Sequence, residues 1–404
     1  MSIDMTFLYI TAIICIVMQI LFLVQVRSNC KYFLNKAERD RVSYRPKTAM
    51  IVPCKGIDTE FEKNISSFYE IDYNGYELIF VVENAEDAAY NRLAEIKKKF
   101  AGKTKAFDVR ILVAGVAAQG SQKLHNLLYA FANISNGVEV LAFADSDACV
   151  KNNWLSHILY PLRKDKYGVS SGYRWYVPVK NNLATLALAS MNAKVAQLLG
   201  PTIFNKAWGG AMAVRVDVFK KLGIDKIWRT AASDDLTISR AVKKAGLIVA
   251  FVPVCLSASY EQTNWKGLFE FVRRQFIITR ITMPGTWVFG LFSAVFSIFG
   301  LWGFAAIAAA VYFKGTGRWE LFVAAAAVFF VSQITRAVMR QSVIFKLLPE
   351  DAEKMKIAAM ADIVGGPIWS IVLLACIISS AFTRTIKWRG VKYKLISPTE
   401  TVRV

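Results

Sequence analysis

The sequence predicts an α/β domain, built on a mostly parallel sheet flanked by helices, with transmembrane helices at both ends of the chain. Three observations predict it. Residues 47–260 alternate short apolar strands with amphipathic helical stretches, the pattern of a parallel sheet covered on both faces. An uncharged run occupies residues 6–26, and three long apolar tracts lie at about 286–313, 319–338 and 357–382.

The first run, TFLYITAIICIVMQILFLVQV, has the length of a helix crossing the ~30 Å hydrocarbon core. A signal peptide is the rival reading. The run is longer than a typical h-region, lacks a basic n-region and is followed by no small-residue cleavage site. Arg27, Lys31, Lys36, Arg39 and Arg41 follow it instead, and the positive-inside rule then places the next domain in the cytoplasm.

Within that domain TAMIVPCKG, YELIFVVEN, FDVRILVAG and VEVLAFADSDA read as four strands. The stretches TEFEKNISSFYEI, EDAAYNRLAEIKKKF and SQKLHNLLYAFANI read as the helices between them. Ligands of such sheets bind at the carboxyl ends of the strands. Glu83 and Asp145 stand at strand ends and are expected to face one cleft. Residues 181–200 mix apolar side chains with Asn192 and Lys194, which suits a helix lying on the membrane surface or packed inside the domain better than a span. Residues 262–285 carry Arg273, Arg274 and Arg280 among aromatics and are placed at the membrane interface.

The last apolar tract contains Asp362 and then Gly365-Gly366-Pro367, expected to break a helix. Beyond it Arg384, Lys387, Arg389, Lys392 and Lys394 form a basic tail that belongs in the cytoplasm. Three full crossings after a cytoplasmic domain put that tail outside. One tract is therefore expected to be re-entrant or interfacial, and the last is the one chosen.

Composition agrees with a membrane protein. Hydrophobic residues are 55% of the 404 and mean hydropathy is +0.35, too apolar for an ordinary soluble chain. The net charge of +20 is spread along the chain with no nucleic-acid module, so no nucleic-acid partner is expected. Basic residues beside apolar tracts suit anionic lipid headgroups. Cys15, Cys30, Cys54, Cys149, Cys255 and Cys376 show no CxxC pair and no metal-ligand spacing, and read as reduced thiols. His125 and His157 are the only histidines, which gives little support to His–metal or Ser/His/Asp chemistry, and the chain has no P-loop signature.

The strongest chemical signal is Asp145-Ser146-Asp147 after the strand VEVLAFA. Two acids at i and i+2 past a strand reach beyond the sheet edge, where a hard divalent cation, Mg2+ or Mn2+, takes one or two carboxylates plus substrate phosphates. The plain alternative is a solvated Asx turn. Ser233-Asp234-Asp235-Leu236 precedes a helical stretch; Asp234 is read as a cap, favoured by the helix dipole, and Asp235 as pointing into the cleft, where it can accept a proton. Glu83, with Glu86 and Asp87 behind it, suits contact with a ribose or a base N–H; a turn full of acids is the alternative. Lys123, after Gly120, suits phosphate binding or is a surface lysine. Gly209 and Gly210 after Trp208 allow close backbone approach to a sugar, or make a simple turn. Arg274, with Arg273 and Gln275, either binds a diphosphate or faces lipid headgroups.

Taken in order, these motifs resemble the family 2 and ceramide-glucosyltransferase-like glycosyltransferases with a GT-A fold. The matching parts are the opening strand with Pro53 and Lys55, the acidic strand end at Glu83, the Lys123–Asn126 element, DSD at 145–147, WGGAMAVR, and SDDL at 233–236. The resemblance covers about residues 45–285, and the closing KWRGVKYKL also looks like the tail of that group. It implies a transmembrane helix in 1–30, a cytoplasmic GT-A nucleotide-sugar-binding domain with interfacial helices over 45–285, a membrane region over 286–383 and a basic tail over 384–404.

By resemblance Glu83 takes the nucleotide-contacting position, with Glu86 or Asp87 as alternatives. Asp145 and Asp147 take the donor-diphosphate and metal positions, and Asp235 that of the general base. Lys123 and Arg274 join the donor site, while Trp208, Gly209, Gly210, Asp234 and Gln275 are expected contacts. The family implies an inverting reaction that moves a sugar from a nucleotide-sugar donor, with Mg2+ or Mn2+, to a membrane lipid of ceramide, diacylglycerol or hopanoid type. The expected setting is a bacterial inner membrane. Two departures stand out. The first acid is Glu followed by Asn, and the (Q/R)xxRW element reads Phe271-Val-Arg-Arg274-Gln275, without its Trp. The missing Trp weakens the rival reading, a processive polysaccharide synthase; a membrane scaffold with a degenerate transferase domain is the third.

Overall fold

The computed structural model describes residues 5–37 and 43–404; Arg39 and Arg41 of the charge argument lie outside the described residues. Helix α1 (Met5–Ala37) leads. The domain then opens with β1 (Thr48–Pro53), α2 (Phe61–Tyr69), β2 (Tyr76–Val82), α3 (Ala88–Lys99), β3 (Asp108–Val113), α4 (Gln122–Ala132), β4 (Val140–Ala144) and α5 (Trp154–Leu159). All four expected strands are present. The chain continues through β5 (Tyr167–Pro178), α6 (Leu183–Ala196), β6 (Ala211–Arg215), α7 (Val216–Lys221), α8 (Ile224–Trp228), α9 (Asp234–Lys244) and β7 (Ile248–Glu261).

The seven strands form one sheet in the order β3-β2-β1-β4-β6-β5-β7. The pairs β1–β2, β2–β3, β1–β4 and β5–β7 are parallel; β6 runs antiparallel to both of its neighbours. Side chains alternate across the sheet, so Met50, Val52, Leu78 and Phe80 meet α2, α3 and α5 on one face through Phe68, Leu93 and Leu155. Ala49, Ile51, Ile79 and Phe143 meet Leu124, Leu127, Trp228 and Ile238 of α4, α8 and α9 on the other. Burial of each large side chain contributes about 1.5–3 kcal/mol. Both faces are covered, which is why the strands read as continuous apolar runs. Parallel pairing also brings the carboxyl ends of β1, β2 and β4 to one edge. There β6 starts with Ala211 opposite Ala144, which carries Gly209-Gly210 to the DSD turn.

The remaining helices are α10 (Trp265–Thr282), α11 (Pro284–Ile298), α12 (Phe304–Lys314), α13 (Trp319–Leu347) and α14 (Ala352–Ser380), with a π-helical turn Phe299–Gly303 joining α11 to α12. Four helical segments among the described residues are long and apolar enough to cross a membrane: Met5–Lys36, Pro284–Lys314, Trp319–Leu347 and Pro349–Ser380. Helices α1 and α13 pack together. At their far end the Arg318 N–H donates to the Tyr9 hydroxyl (2.7 Å); at the domain end the Asn29 amide donates to the Gln197 carbonyl (2.9 Å) and Lys151 donates to the Leu347 carbonyl (2.5 Å).

Helix α14 differs, because the domain holds it at both ends. At its start Asp351 accepts from the Tyr260 hydroxyl of β7 (3.0 Å). At its finish Arg273 of α10 donates to the Ser379 carbonyl (3.4 Å) and Arg280 to the Thr383 carbonyl (2.5 Å). Its buried face packs on α6, where the Asp362 carboxylate accepts from Ser190, Gln341 and, through both oxygens, Arg340. Its other face exposes Ile357, Met360, Val364, Ile368 and Ile371 at helical spacing.

One expectation needs correction, and one element had no expectation. Gly365-Gly366-Pro367 does not break the helix: α14 runs through Pro367. Gly365 leaves room for the Trp369 indole, which donates to the Ala361 carbonyl, and the Lys194 ammonium donates to the carbonyl of Gly366, just before the proline. The basic tail, whose charge and side are read from the sequence but whose structure is not, is ordered. It folds into an antiparallel sheet of β8 (Thr385–Trp388), β9 (Val391–Ser397) and β10 (Glu400–Arg403). Ile386, Tyr393 and Leu395 bury against Ala232, Ile277 and Ile278, an alternation interleaved with the lysines that hid it.

Candidate active site

Helix α4 is capped by Ser121, whose side chain accepts from the Leu124 N–H, and this places Lys123 in its first turn, aimed at the sheet edge. The Lys123 ammonium lies 2.6 Å from Asp145 Oδ1 and 2.9 Å from Asp234 Oδ2. Burial opposes its charge, yet the two carboxylates outweigh burial and raise its pKa, so it stays protonated. Lys123 is thus a bridge between the DSD turn and the SDDL turn.

At the SDDL turn the cap is Ser233, not Asp234. Asp234 faces Lys123. Asp235 turns back, its Oδ1 accepting from the Ser233 hydroxyl (2.5 Å) and the Leu236 N–H (2.7 Å), its Oδ2 from the Gly209 N–H (3.3 Å). Burial, then the charge of Asp234, pushes the Asp235 carboxyl up to about 6. Gly209 and Gly210 permit this closeness. A Cβ on Gly209 would stand 2.2 Å from Asp234 Oδ2, and one on Gly210 2.2 Å from the Trp208 ring and 2.7 Å from Asp145 Oδ2.

Asp147 is held differently. Its Oδ1 is buried and accepts no hydrogen bond among the described residues. Burial, then the charge of Asp145, pushes its carboxyl up to about 6, with Arg174 acting the other way. A buried, unpartnered carboxylate oxygen two positions from a second carboxylate is a fit for a hard divalent cation. Among the described residues no three His, Cys, Asp or Glu side chains form a group that could hold a metal ion by themselves, so such an ion would complete its shell with substrate phosphates and water.

The other expected residues divide. Glu83 is close by at the end of β2, but its carboxylate is paired with Lys55 (2.6 Å). Asp87 is engaged structurally, capping α3 through the Ala89 N–H and accepting from the Gly56 N–H. Glu86 is exposed, and Gln275 is exposed on α10. Arg274 leans over the rings of Phe271 and Trp388. Burial, then repulsion from Arg174, lowers its pKa to about 10. Trp208 packs edge-on to Tyr173 and lies under the Arg174 guanidinium.

Three residues of this region escaped sequence reasoning. Asp58 accepts from the Ser146 hydroxyl between the two acids of DSD (2.8 Å) and from Arg389 (2.7 Å). Arg174 is half-buried on β5, its guanidinium over the rings of Tyr176, Trp208 and Phe271. Arg389 comes from the tail. Asp58 and Arg174 stand in a loop and a strand with no motif around them, and Arg389, although it lies in the KWRGVKYKL stretch, gains its place beside Asp58 only through long-range pairing.

The chain matches the family model described as Glycosyl transferase family 21 over residues 7–401. Among solved structures, the mannosyltransferase PcManGT from Pyrobaculum calidifontis in complex with GDP-Man and Mn2+ is similar over 93% of this chain and 99% of that one, at 15% identity and a TM-score of 0.46. GalNAc-T7 with UDP, GalNAc and Mn2+ is similar over 60% of this chain and 51% of that one, at 12% identity and a TM-score of 0.41.

Proposed function

The chain belongs to glycosyl transferase family 21, and on that premise we propose that it moves a sugar, with inversion, from a nucleotide-diphosphate sugar to a lipid in the membrane. The observation that carries the reading is the meeting of Asp145, Asp147, Asp234, Asp235 and Lys123 at one sheet edge, in a domain packed on apolar helices. Asp145 and Asp147 would hold a divalent cation, which when bound neutralises charge on a diphosphate leaving group. Lys123 keeps Asp145 and Asp234 in place and adds positive charge beside the leaving group. Asp235, raised towards neutrality and fixed by Ser233 and Gly209, takes the proton of the acceptor hydroxyl as it attacks the anomeric carbon. Glu83, steadied by Lys55, is the candidate contact to the nucleoside.

Several features support a lipid acceptor. An open groove of about 640 Å³ runs along Asn182, Leu183, Thr263 and Trp265, next to Glu261 at the end of β7. Leu183 and Trp265 are exposed there, and the apolar stripe of α14 belongs to the same helical layer through the packing of α14 on α6 and α10. We read α1, α11–α12 and α13 as three crossings and α14 as a helix lying in the interface plane, apolar stripe to the lipid. Domain and tail then share the cytoplasmic side, as the basic residues of the tail require.

The test is turnover of a panel of radiolabelled nucleotide sugars by membranes containing the chain. The expected product is an organic-extractable glycolipid, formed by wild type and lost in Asp235→Asn. Label in an insoluble polymer would favour a processive synthase, and turnover unchanged in Asp235→Asn would overturn the base assignment.

A further inference from the structure

The C-terminal sheet has a feature that its role as a packing element leaves unexplained. Strands β8 and β9 are joined by Arg389-Gly390, with Trp388 paired to Val391. Both turn residues have positive φ, 48° and 85°. Glycine is at ease there, as two-residue hairpin turns require, but arginine is not; a side chain with a Cβ costs roughly 1–2 kcal/mol in that region. Glu60 is the only other non-glycine residue at positive φ among the described residues. An arginine kept at the tip at that cost points to a use for its side chain.

The side chain reaches the candidate active site. Arg389 Nη2 lies 2.7 Å from Asp58 Oδ1, and Nη1 donates to the Lys55 carbonyl (3.2 Å). The second oxygen of that Asp58 carboxylate accepts from Ser146, so one residue separates the guanidinium from the DSD turn. Asp147 and Asp145 both add to the negative field around Arg389. The hairpin is fixed by the buried contacts of Ile386, Tyr393 and Leu395 and by the Thr401 N–H to the Thr230 carbonyl (2.7 Å), so the arginine is held at the cleft. Its grip on Asp58 is by one nitrogen only, and its side chain remains 46% exposed. A guanidinium has five N–H donors in a fork that matches two phosphate oxygens. Most of them are uncommitted here.

We propose that Arg389 binds the diphosphate of the nucleotide-sugar donor, supplied to the cleft by the C-terminal hairpin from the opposite end of the sequence. The proposal rests on the donor reading above. Asp58 holds the guanidinium at the cleft mouth, and Trp388, one residue earlier, lies against Arg274, so a single hairpin steadies both arginines. In this arrangement the tail is part of the donor site.

The experiment is calorimetry on the purified full chain in detergent, with Mn2+ present, using UDP, GDP, ADP, CDP and TDP alongside the parent nucleosides. Two variants are compared with wild type: Arg389→Ala, and Arg389→Asn, which tolerates positive φ and preserves the turn. The proposal expects both to weaken the preferred diphosphate by about 10-fold or more while nucleoside affinity and the thermal midpoint of Arg389→Asn stay unchanged. Arg389→Lys should recover part of the loss. Wild-type diphosphate affinity in both variants overturns the proposal alone, and so does an equal loss of nucleoside and diphosphate binding. A wild type that binds none of the five diphosphates overturns the donor reading, and the proposal with it.

Discussion

The pH dependence of turnover should report two acids when the cation is scarce and one when it is plentiful. Asp147 and Asp235 are both pushed up to about 6 by burial and by a neighbouring aspartate. At pH 7.5 each is about 97% ionised; at pH 5.0 each is about 9% ionised. If both must be charged, kcat/KM falls about 110-fold between those two pH values; if only one must be, about 11-fold. A divalent cation on Asp147 competes with its proton, so saturating Mn2+ should keep that carboxylate ionised and leave Asp235 alone on the acid limb. The assay is kcat/KM for the donor from pH 4.5 to 8, at limiting and at saturating Mn2+. The expected limiting slope is two in the first series and one in the second, with a midpoint near pH 6. A slope of one in both series, or a midpoint near pH 4, would refute the assignment of these two carboxyls.

Three further outcomes follow from the geometry. In the cation-free protein the raised Asp147 carboxyl favours folding most below the unfolded value near pH 4, and that contribution is lost as pH rises through about 6; Asp147→Asn should therefore raise the thermal midpoint at pH 7.5 by more than at pH 4, measured by fluorescence in detergent. Asp362→Asn leaves the buried Arg340 guanidinium without its carboxylate and should cost ~3–5 kcal/mol, whereas replacing Asp362 and Arg340 together by apolar residues should cost much less; equal unfolding losses in the two would count against the ion pair. Gly210→Ala puts a methyl into the space of Trp208 and Asp145 and should reduce turnover by about 10-fold or more while lowering stability by about 1–3 kcal/mol; normal turnover would mean that this tight approach has no catalytic use.

Legibility differed from one region to another for physical reasons. The strands at 48–53, 76–82, 108–113 and 140–144 could be read because both faces are buried, which makes each a continuous apolar run. DSD and SDDL could be read because acids at a strand end and at a helix start are local signals. The partition of roles at 233–235 could not: Ser233 takes the cap, Asp234 meets Lys123 and Asp235 meets Gly209, and only the approach of β6 to α9 decides among them. The course of α14 through Pro367 likewise shows only in the structure, where Trp369 and Lys194 bond to the carbonyls of Ala361 and Gly366.

By itself the sequence determined the α/β class, the mostly parallel sheet, the apolar segments and the family, because periodicity, chain length and motif order are properties of neighbouring residues. Only the tertiary structure decided that Asp58, Arg174 and Arg389 join the predicted acids, and that the tail hairpin closes on the first strand's loop. Those contacts link residues up to 334 positions apart, and no local pattern encodes a pairing that arises when two ends of a chain pack against the same core.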